Sequence, residues 1–462
     1  MTPQQLHEMG AQAVALHKAR NFAEAEPLYL RMIAAAPGDP LPRHYLGILK
    51  AQTGRHGEAA DLLASALRLK PDAPDTLLHH ANVLRHLGRP AEALADYDRL
   101  LALRPDHVAG LNHRGHALQA LKRYSEALAS YDHALALKPD YGEAIYNRAT
   151  VLHELDRYQE ALAGYDAALA MAPRHAGVLH RRGVVLHRLG RLDDALDSLD
   201  RALAARPDHA DALRDRGRLL WAMHRIGDGF ESFRRITAQQ GTDDDAPFDG
   251  AAIDPRHAGL AWPDGGPRIL VLDNVLTQPA CDALRRLCRD FPGWRAAPED
   301  GLFTAVPESG FAAPLLARIV AELRAACPGI LQNHPLRHLE AVRHDGDAET
   351  TTPRTDAAAV TVRLWLTPND DSLDPATGSL VIWDTPPPEG SLSPFQGDAA
   401  GDAALARKFL AAGGAQPLTI TWRANRAVLF DSSLAQETGA IRVQAGAENP
   451  RIAITLLFGG RA

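Results

Sequence analysis

The stretch 139–148 (PDYGEAIYNR), followed by 158–169 (YQEALAGYDAAL), decides the fold of the first half of this chain, because both pieces recur in either direction at one interval. Upstream of Pro139 stand Pro105, Pro71 and Pro37, and downstream Pro173 and Pro207, each 34 residues from the next. Twelve positions before these prolines come Ala25, Ala59, Ala93, Ala127, Ala161 and Ala195. Eight before, the residue is large and apolar: Tyr29, Leu63, Tyr97, Tyr131, Tyr165 and Leu199. Ten after, it is small: Gly47, Ala81, Gly115, Ala149, Gly183 and Gly217. A fixed period of this length marks a stack of helical hairpins. Small residues let two helices approach closely, and the aromatic is expected to fill the space between neighbouring hairpins. The proline stops the second helix where the next unit begins. One hairpin cannot bury its apolar face alone, so stability comes from the interfaces between units.

Period and pattern resemble tetratricopeptide repeats, seven of them, from about residue 6 to about residue 240, with a degenerate last unit that has Gly229 in place of alanine and Gly241 in place of proline. The resemblance implies a superhelix whose first helices line a concave groove holding a peptide or protein. Positions five and six of each unit then face that groove, which singles out His79, Asn112, His113, Tyr146, Asn147, His180 and Arg181, beside His44 and Tyr45. In such repeats asparagine grips peptide backbone, which points to Asn112 and Asn147. The plain alternative is a solvated polar face, since exposed polar positions are commonly silent. Seventeen of the 21 histidines fall within 1–240, but they follow the repeat rather than a compact ligand set, so no metal is expected there.

Around that array, 462 residues allow about three domains. Lys and Arg number 50 against 57 Asp and Glu, a net charge of −7 that offers no basic field to a nucleic acid. Cys281, Cys288 and Cys327 are too few and too scattered for a disulfide framework or a zinc site. Cys281 and Cys288, seven apart, have core spacing and are assigned no chemistry. No run of 18 apolar residues suggests membrane insertion, and the start MTPQQLHEMG has neither a basic nor an apolar leader region. The expected setting is the reducing cytoplasm.

Past residue 240 the rhythm stops. Residues 241–267 are rich in Gly, Pro and Asp and read as a linker or docking strap. From 268 to 462 the pattern turns to short strands at 269–272, 338–342, 360–366, 379–383, 418–422, 427–430 and 452–458, with helices near 279–289, 314–326 and 403–412. That reads as a sandwich or barrel with helical additions, an α+β chain of two domains overall.

Residues 357–368 (AAAVTVRLWLTP), 374–383 (DPATGSLVIW), 423–438 (RANRAVLFDSSLAQET) and 448–459 (ENPRIAITLLFG), in that order, resemble bacterial members of the Fe(II)/2-oxoglutarate-dependent dioxygenase superfamily, in the prolyl hydroxylase-like group. The opening 271–287, with Asp273, is similar to that family's entry. The resemblance implies a double-stranded β-helix, or jelly roll, with flanking helices. It also implies a facial triad of two histidines and a carboxylate for iron, with an arginine for the distant carboxylate of 2-oxoglutarate. Carried over, the His-x-Asp falls on Arg354, Thr355 and Asp356, the distal histidine on Gln436, and the arginine on Arg451. Carboxylate and arginine are kept, and both histidines are replaced. A guanidinium has no lone pair to offer and an amide oxygen is a weak one, so no metal and no cofactor are expected. Arg354 is expected to pair with Asp356 in the cation's stead. His338, Glu340 and His344 form a triad-like set on and just after one strand, read as ordinary exposed strand and loop residues. Arg363 and Arg442 are further cations. The leading expectation is a peptide-binding adaptor carrying an iron-less pseudoenzyme domain. The competing one is an active peptidyl hydroxylase using Fe(II) and 2-oxoglutarate on a recruited protein, and a third is a sensor of 2-oxoglutarate through Arg451.

Overall fold

The structure is a computed structural model that describes residues 2–237, 248, 250–296, 302–307, 311–345, 351, 354–367, 379–388, 400–439, 441 and 451–460. The chain divides into two compact units, Met1–Arg191 and Leu192–Ala462.

The first unit is helical: α1 (Pro3–Lys18), α2 (Phe22–Ala35), α3 (Pro40–Gln52), α4 (His56–Leu69), α5 (Pro74–His86), α6 (Pro90–Leu103), α7 (Val108–Ala120), α8 (Tyr124–Leu137), α9 (Gly142–Glu154), α10 (Tyr158–Met171) and α11 (Ala176–Arg188). The spaced prolines set the helix ends. Ala36, Lys70, Arg104, Lys138 and Ala172 each precede a proline and leave the helical region at ψ 75 to 89°, because the proline ring clashes with a helical neighbour before it. Each hairpin turns through one left-handed residue, at Arg20, Gly54, Gly88, Lys122, Asp156 and Gly190. The six spaced alanines from Ala25 to Ala195 are fully buried, as are Tyr97, Tyr131 and Tyr165. The tyrosine reaches the next hairpin, as Tyr29 does by stacking on Tyr45 and Tyr97 by lying against His113, both at 6.1 Å, and it also covers the small residue of its own hairpin. A Cβ on Gly115 would stand 2.6 Å from the Tyr131 ring, and one on Gly47 would stand 2.6 Å from Leu63.

The second unit begins with three more helices at the same interval, α12 (Leu192–Ala205), α13 (Ala210–Ala222) and α14 (Ile226–Thr237). It continues through β1 (Ile269–Asp273), α15 (Gln278–Asp290), β2 (Arg295–Ala296), β3 (Leu302–Ala305), α16 (Pro314–Ala326), α17 (Pro328–Leu331), β4 (Leu336–His344), β5 (Val360–Trp365), β6 (Leu380–Trp383), α18 (Ala400–Ala412), β7 (Pro417–Ile420), β8 (Arg426–Asp431), β9 (Gln436–Thr438) and β10 (Arg451–Phe458). The strands make two antiparallel sheets, one of seven in the order β1-β8-β5-β10-β4-β3-β2 and one of three in the order β7-β6-β9. Strand parity splits the large sheet. Val360, Val362 and Leu364 of β5 and Ile452, Ile454 and Leu456 of β10 pack on α15 and α16 in one core. On the opposite face Trp365, Val428 and Phe430 pack against Leu380 and Ile382 of the small sheet.

The division at Arg191 falls well before the expected end of the helical array at 240, and the physical reason is a shared core. Trp221, Ile226, Phe230 and Phe233 of α13 and α14 are buried in the same cluster as Leu276, Leu316 and Leu339. Gly229, which reads as degeneracy in the sequence, is a fit: its Cβ would meet Trp221 at 2.4 Å. Part of the expected linker also belongs to this unit. Ala252 and Ile253 are buried and donate their backbone N–H groups to Glu322 Oε2 at 2.7 and 2.8 Å. The acidic run at Asp243–245 and Arg442 lie outside the described residues. Among the described residues no helix is long and apolar enough to cross a membrane.

Candidate functional site

The first unit presents its odd-numbered helices with a row of polar and aromatic side chains. Asn147 on α9 donates from Nδ2 to Asn112 Oδ1 on α7 at 3.1 Å. Asn112 is fully buried. His44 on α3 meets His79 on α5 edge to face at 5.4 Å and hydrogen-bonds Thr76 Oγ1 at 2.9 Å. His113 lies against Tyr97, and Tyr146 lies between Tyr165 and His175 at 6.0 and 6.3 Å. His180 is buried and Arg181 half-buried. The row is thus more enclosed than a solvated face would be. Burial pushes the His44 imidazole down to about 4, helped by His79 and opposed by Asp75. Burial likewise lowers His79 and His113. These side chains therefore stay neutral near pH 7, serving as hydrogen-bonding and stacking groups rather than charges.

Sequence reading missed a cavity of about 260 Å³ lined by Ile48, Gln52, His56, Leu63, His79 and His86 among others. His56 and His86 stack there at 5.3 Å. Neither residue occupies the two groove positions that the repeat singles out, so no signal in the period marks them.

In the second unit the residues carried over to the iron positions do come together. Arg354 and Gln436 pair as a backbone bridge, with N–H to O distances of 2.9 and 2.8 Å. Gln436 is buried and donates from Nε2 to Asp356 Oδ2 at 2.6 Å. Thr361 Oγ1 donates to the same oxygen at 2.6 Å and also contacts Ser432 Oγ at 2.8 Å. The expected Arg354–Asp356 pair is not formed: Arg354 is exposed, and no ion pair joins the two among the described residues. Asp356 is satisfied by neutral donors instead. Asp273, at the family-like opening, is held by Arg426 at 2.6 Å and Arg423 at 3.1 Å.

Arg451 is buried with its guanidinium 5.1 Å from the centre of the Trp422 ring. It pairs in register with His344 across β10 and β4. Arg363, whose direction the sequence left open, lies on the same face of β5 as Thr361 and Trp365 and donates to Thr438 Oγ1 at 3.1 Å. Period-two alternation in VTVRLW could have placed it. Burial and then the Arg451 guanidinium hold His344 down to about 4, Arg363 adding to the effect and Asp345 opposing it. The set His338, Glu340 and His344 does not converge. His338 Nε2 is 3.9 Å from Glu340 Oε2, both partly exposed, and among the described residues no three His, Cys, Asp or Glu side chains form a group able to hold a metal. Cys281, Cys288 and Cys327 are buried free thiols.

Comparison with known proteins addresses the helical part. Residues 140–207 match one tetratricopeptide repeat profile, 45–108 and 180–245 a second, and 108–141 a third. No curated protein matches the chain. Among solved structures, a tetratricopeptide repeat protein from Parabacteroides merdae is 20% identical, covering 52% of this chain and 95% of its own, with a TM-score of 0.44. YrrB, described as a TPR protein with an unusual peptide-binding site, is 23% identical over 41% of this chain and 97% of its own, at a TM-score of 0.36. Pseudomonas aeruginosa pilF is 20% identical over 44% and 93%, at 0.39. The helical part of this chain carries tetratricopeptide repeats.

Proposed function

We propose that this protein is an adaptor whose repeats bind a peptide or protein segment, joined to a dioxygenase-like jelly-roll domain that works without iron. The observation that carries the second half of this reading is the hydrogen bond from Gln436 Nε2 to Asp356 Oδ2. An amide that turns its N–H groups to the carboxylate is a partner for that carboxylate, not a fellow ligand of a cation. Arg354 has no lone pair and stands exposed, so the three carried-over positions do not fit a ferrous ion. The pairing of a seven-stranded with a three-stranded antiparallel sheet supports the jelly-roll reading. For the first half, the support is the matched repeats and the enclosed row from His44 to Arg181, a surface of hydrogen-bonding donors, acceptors and rings suited to an extended backbone.

Two measurements test it. Anaerobic Fe(II) titration of the full chain is expected to give no stoichiometric uptake, and no 2-oxoglutarate is consumed with Fe(II) and ascorbate. Uptake of one iron per chain that Asp356→Ala abolishes overturns the iron-less reading. Peptides selected on the full chain are expected to lose at least tenfold in affinity on Tyr146→Ala. Binding indifferent to Tyr146, His79 and Arg181 overturns the groove.

A further inference from the structure

The tyrosines that recur through the repeats end on hydrogen bonds. Tyr29 Oη meets His17 Nδ1 at 3.3 Å, Tyr97 donates to Asn82 Oδ1 at 2.6 Å, Tyr131 reaches Gln119 Oε1 at 3.5 Å, and Tyr165 reaches Thr150 Oγ1 at 3.4 Å. Each partner stands on the first helix of the tyrosine's own hairpin. The second hairpin breaks the series. Leu63 takes the tyrosine's place over Gly47, and at the partner positions stand Ile48, one period before Asn82, and Ala51, one period after His17. A leucine reaches less far than a phenol, and neither Ile48 nor Ala51 has a side-chain group to hydrogen-bond one. All three line the cavity of about 260 Å³, which therefore occupies the place that a phenol fills in the tyrosine hairpins.

The cavity continues the groove face. On α3, Ile48 and Gln52 follow Tyr45 at spacings of three and seven, as Asn82 and His86 follow His79 on α5, and residues so spaced share one side of a helix. Its lining is made of aliphatic, amide and imidazole side chains. Burial lowers His79, and burial followed by Arg85 and His56 lowers His86, so both imidazoles are neutral near pH 7. The His56 ring lies parallel to His86 at 5.3 Å, and its Nδ1 is enclosed with no hydrogen-bond partner among the described residues. An imidazole nitrogen gives or takes one hydrogen bond according to its tautomer, and a hydroxyl answers either. All nine tyrosines of the chain lie between residues 29 and 165, within the described helices and their caps, so a phenol for this cavity comes from another molecule.

We propose that this cavity receives a tyrosine side chain of the bound partner segment, with its ring against Leu63, Ile48 and Val83 and its hydroxyl hydrogen-bonded to the polar wall at His56. The proposal deepens the adaptor reading and rests on it: the partner's tyrosine completes from outside the series that Leu63 interrupts, and anchors the segment beside the groove row.

Titration of the full chain with p-cresol, the tyrosine side chain alone, tests it, with the Leu63 methyl and histidine ring signals followed by NMR. Saturable shifts at Leu63 and His56 are expected, and toluene is expected to bind several-fold more weakly because it lacks the hydroxyl. Leu63→Tyr restores the series from within, so p-cresol binding should fall at least tenfold while Tm does not fall, since the new ring enters a cavity rather than a packed core. His56→Leu should abolish the preference for p-cresol over toluene, a change that lost stability alone does not give. Peptides selected on the full chain are expected to compete with p-cresol and to lose at least tenfold in affinity when their tyrosine becomes alanine. Absence of saturable p-cresol shifts overturns the proposal, as does a Leu63→Tyr chain that binds p-cresol undiminished or melts at lower temperature. Binding of p-cresol that the peptides do not contest overturns the partner tyrosine in favour of a free phenol. Peptides that depend on Tyr146 yet ignore p-cresol and Leu63→Tyr overturn this proposal alone, whereas peptides indifferent to Tyr146, His79 and Arg181 overturn the adaptor reading with it.

Discussion

In the helical repeats Tyr131 fills the space left by Gly115, sixteen positions away, whereas in the sheet unit Gln436 reaches Asp356 across eighty. The two contacts depend on different amounts of the chain. A repeat closes on itself and its neighbours, so its stability is approximately a sum of local terms. The sheet closes only when β10 lies between β4 and β5 and when α13 and α14 have entered the same core. Damage should therefore spread in the second unit and stay local in the first.

The largest effect is expected at the shared core. Trp221 is 1% exposed and packs on Phe230 and Phe233 at ring distances of 5.1 and 4.9 Å. Trp221→Ala removes that packing and leaves a cavity, at a cost of about 3–5 kcal/mol. The remaining tryptophans all lie beyond residue 261, so their fluorescence during urea unfolding reports the sheets. Their midpoint should fall with the variant. A midpoint that stays put would mean that α13 and α14 are an appendage and that the contrast is false.

The matching lesion in the first unit is Gly115→Val, whose Cβ would press on the Tyr131 ring at 2.6 Å. Overpacking of this kind costs about 1–3 kcal/mol. Hydrogen exchange should quicken in α7, α8 and their neighbours and leave β4, β5 and β10 unchanged. Faster exchange in those strands would break the comparison from the other side.

Acid sharpens it by acting on a named group. An unfolded histidine takes up a proton near pH 6.5, whereas folded His44 does so only near 4. Between those values the unfolded state binds more protons, so this contribution is complete above about pH 6.5 and is lost as the pH falls toward 4. Thermal unfolding followed by circular dichroism should show Tm declining by a few degrees over that window, and His44→Gln should flatten the decline. A variant that declines as steeply as the parent would remove His44 from the account.

How much of this was legible follows the same division. The prolines, alanines and tyrosines of the repeat declare their spacing in one dimension, so helix ends fall two residues before each proline, as α8 ends at Leu137 before Pro139. The strand at 360–366 and the helix at 314–326 were likewise readable from apolar runs. β9 was not, because three residues carry no period. Arg363 was visible as a cation but not as an interior one, since its neighbours come from β8 and β10, far along the chain. Arg354 was misjudged for a related reason. Its backbone is fixed by the bridge to Gln436, and that pairing leaves the side chain exposed. Pattern reports parity along a strand; it does not report who stands across from it.

The smallest effect is the most discriminating. Asn147→Ala deletes the 3.1 Å hydrogen bond to Asn112, whose amide then loses its side-chain donor in a fully buried position. The loss in stability should be about 1 kcal/mol, the typical net worth of such a bond. If Asn147 only supports Asn112, then Asn112→Ala should erase the effect of the second substitution, and urea midpoints of the two single variants and the double variant will show the non-additivity. If Asn147 also meets a bound peptide backbone, peptide affinity will fall further in Asn147→Ala than in Asn112→Ala, although Asn112 is the more deeply buried of the two. Equal losses in both variants would assign the pair to scaffolding, and the groove would then have to be read through Tyr146 and Arg181 alone.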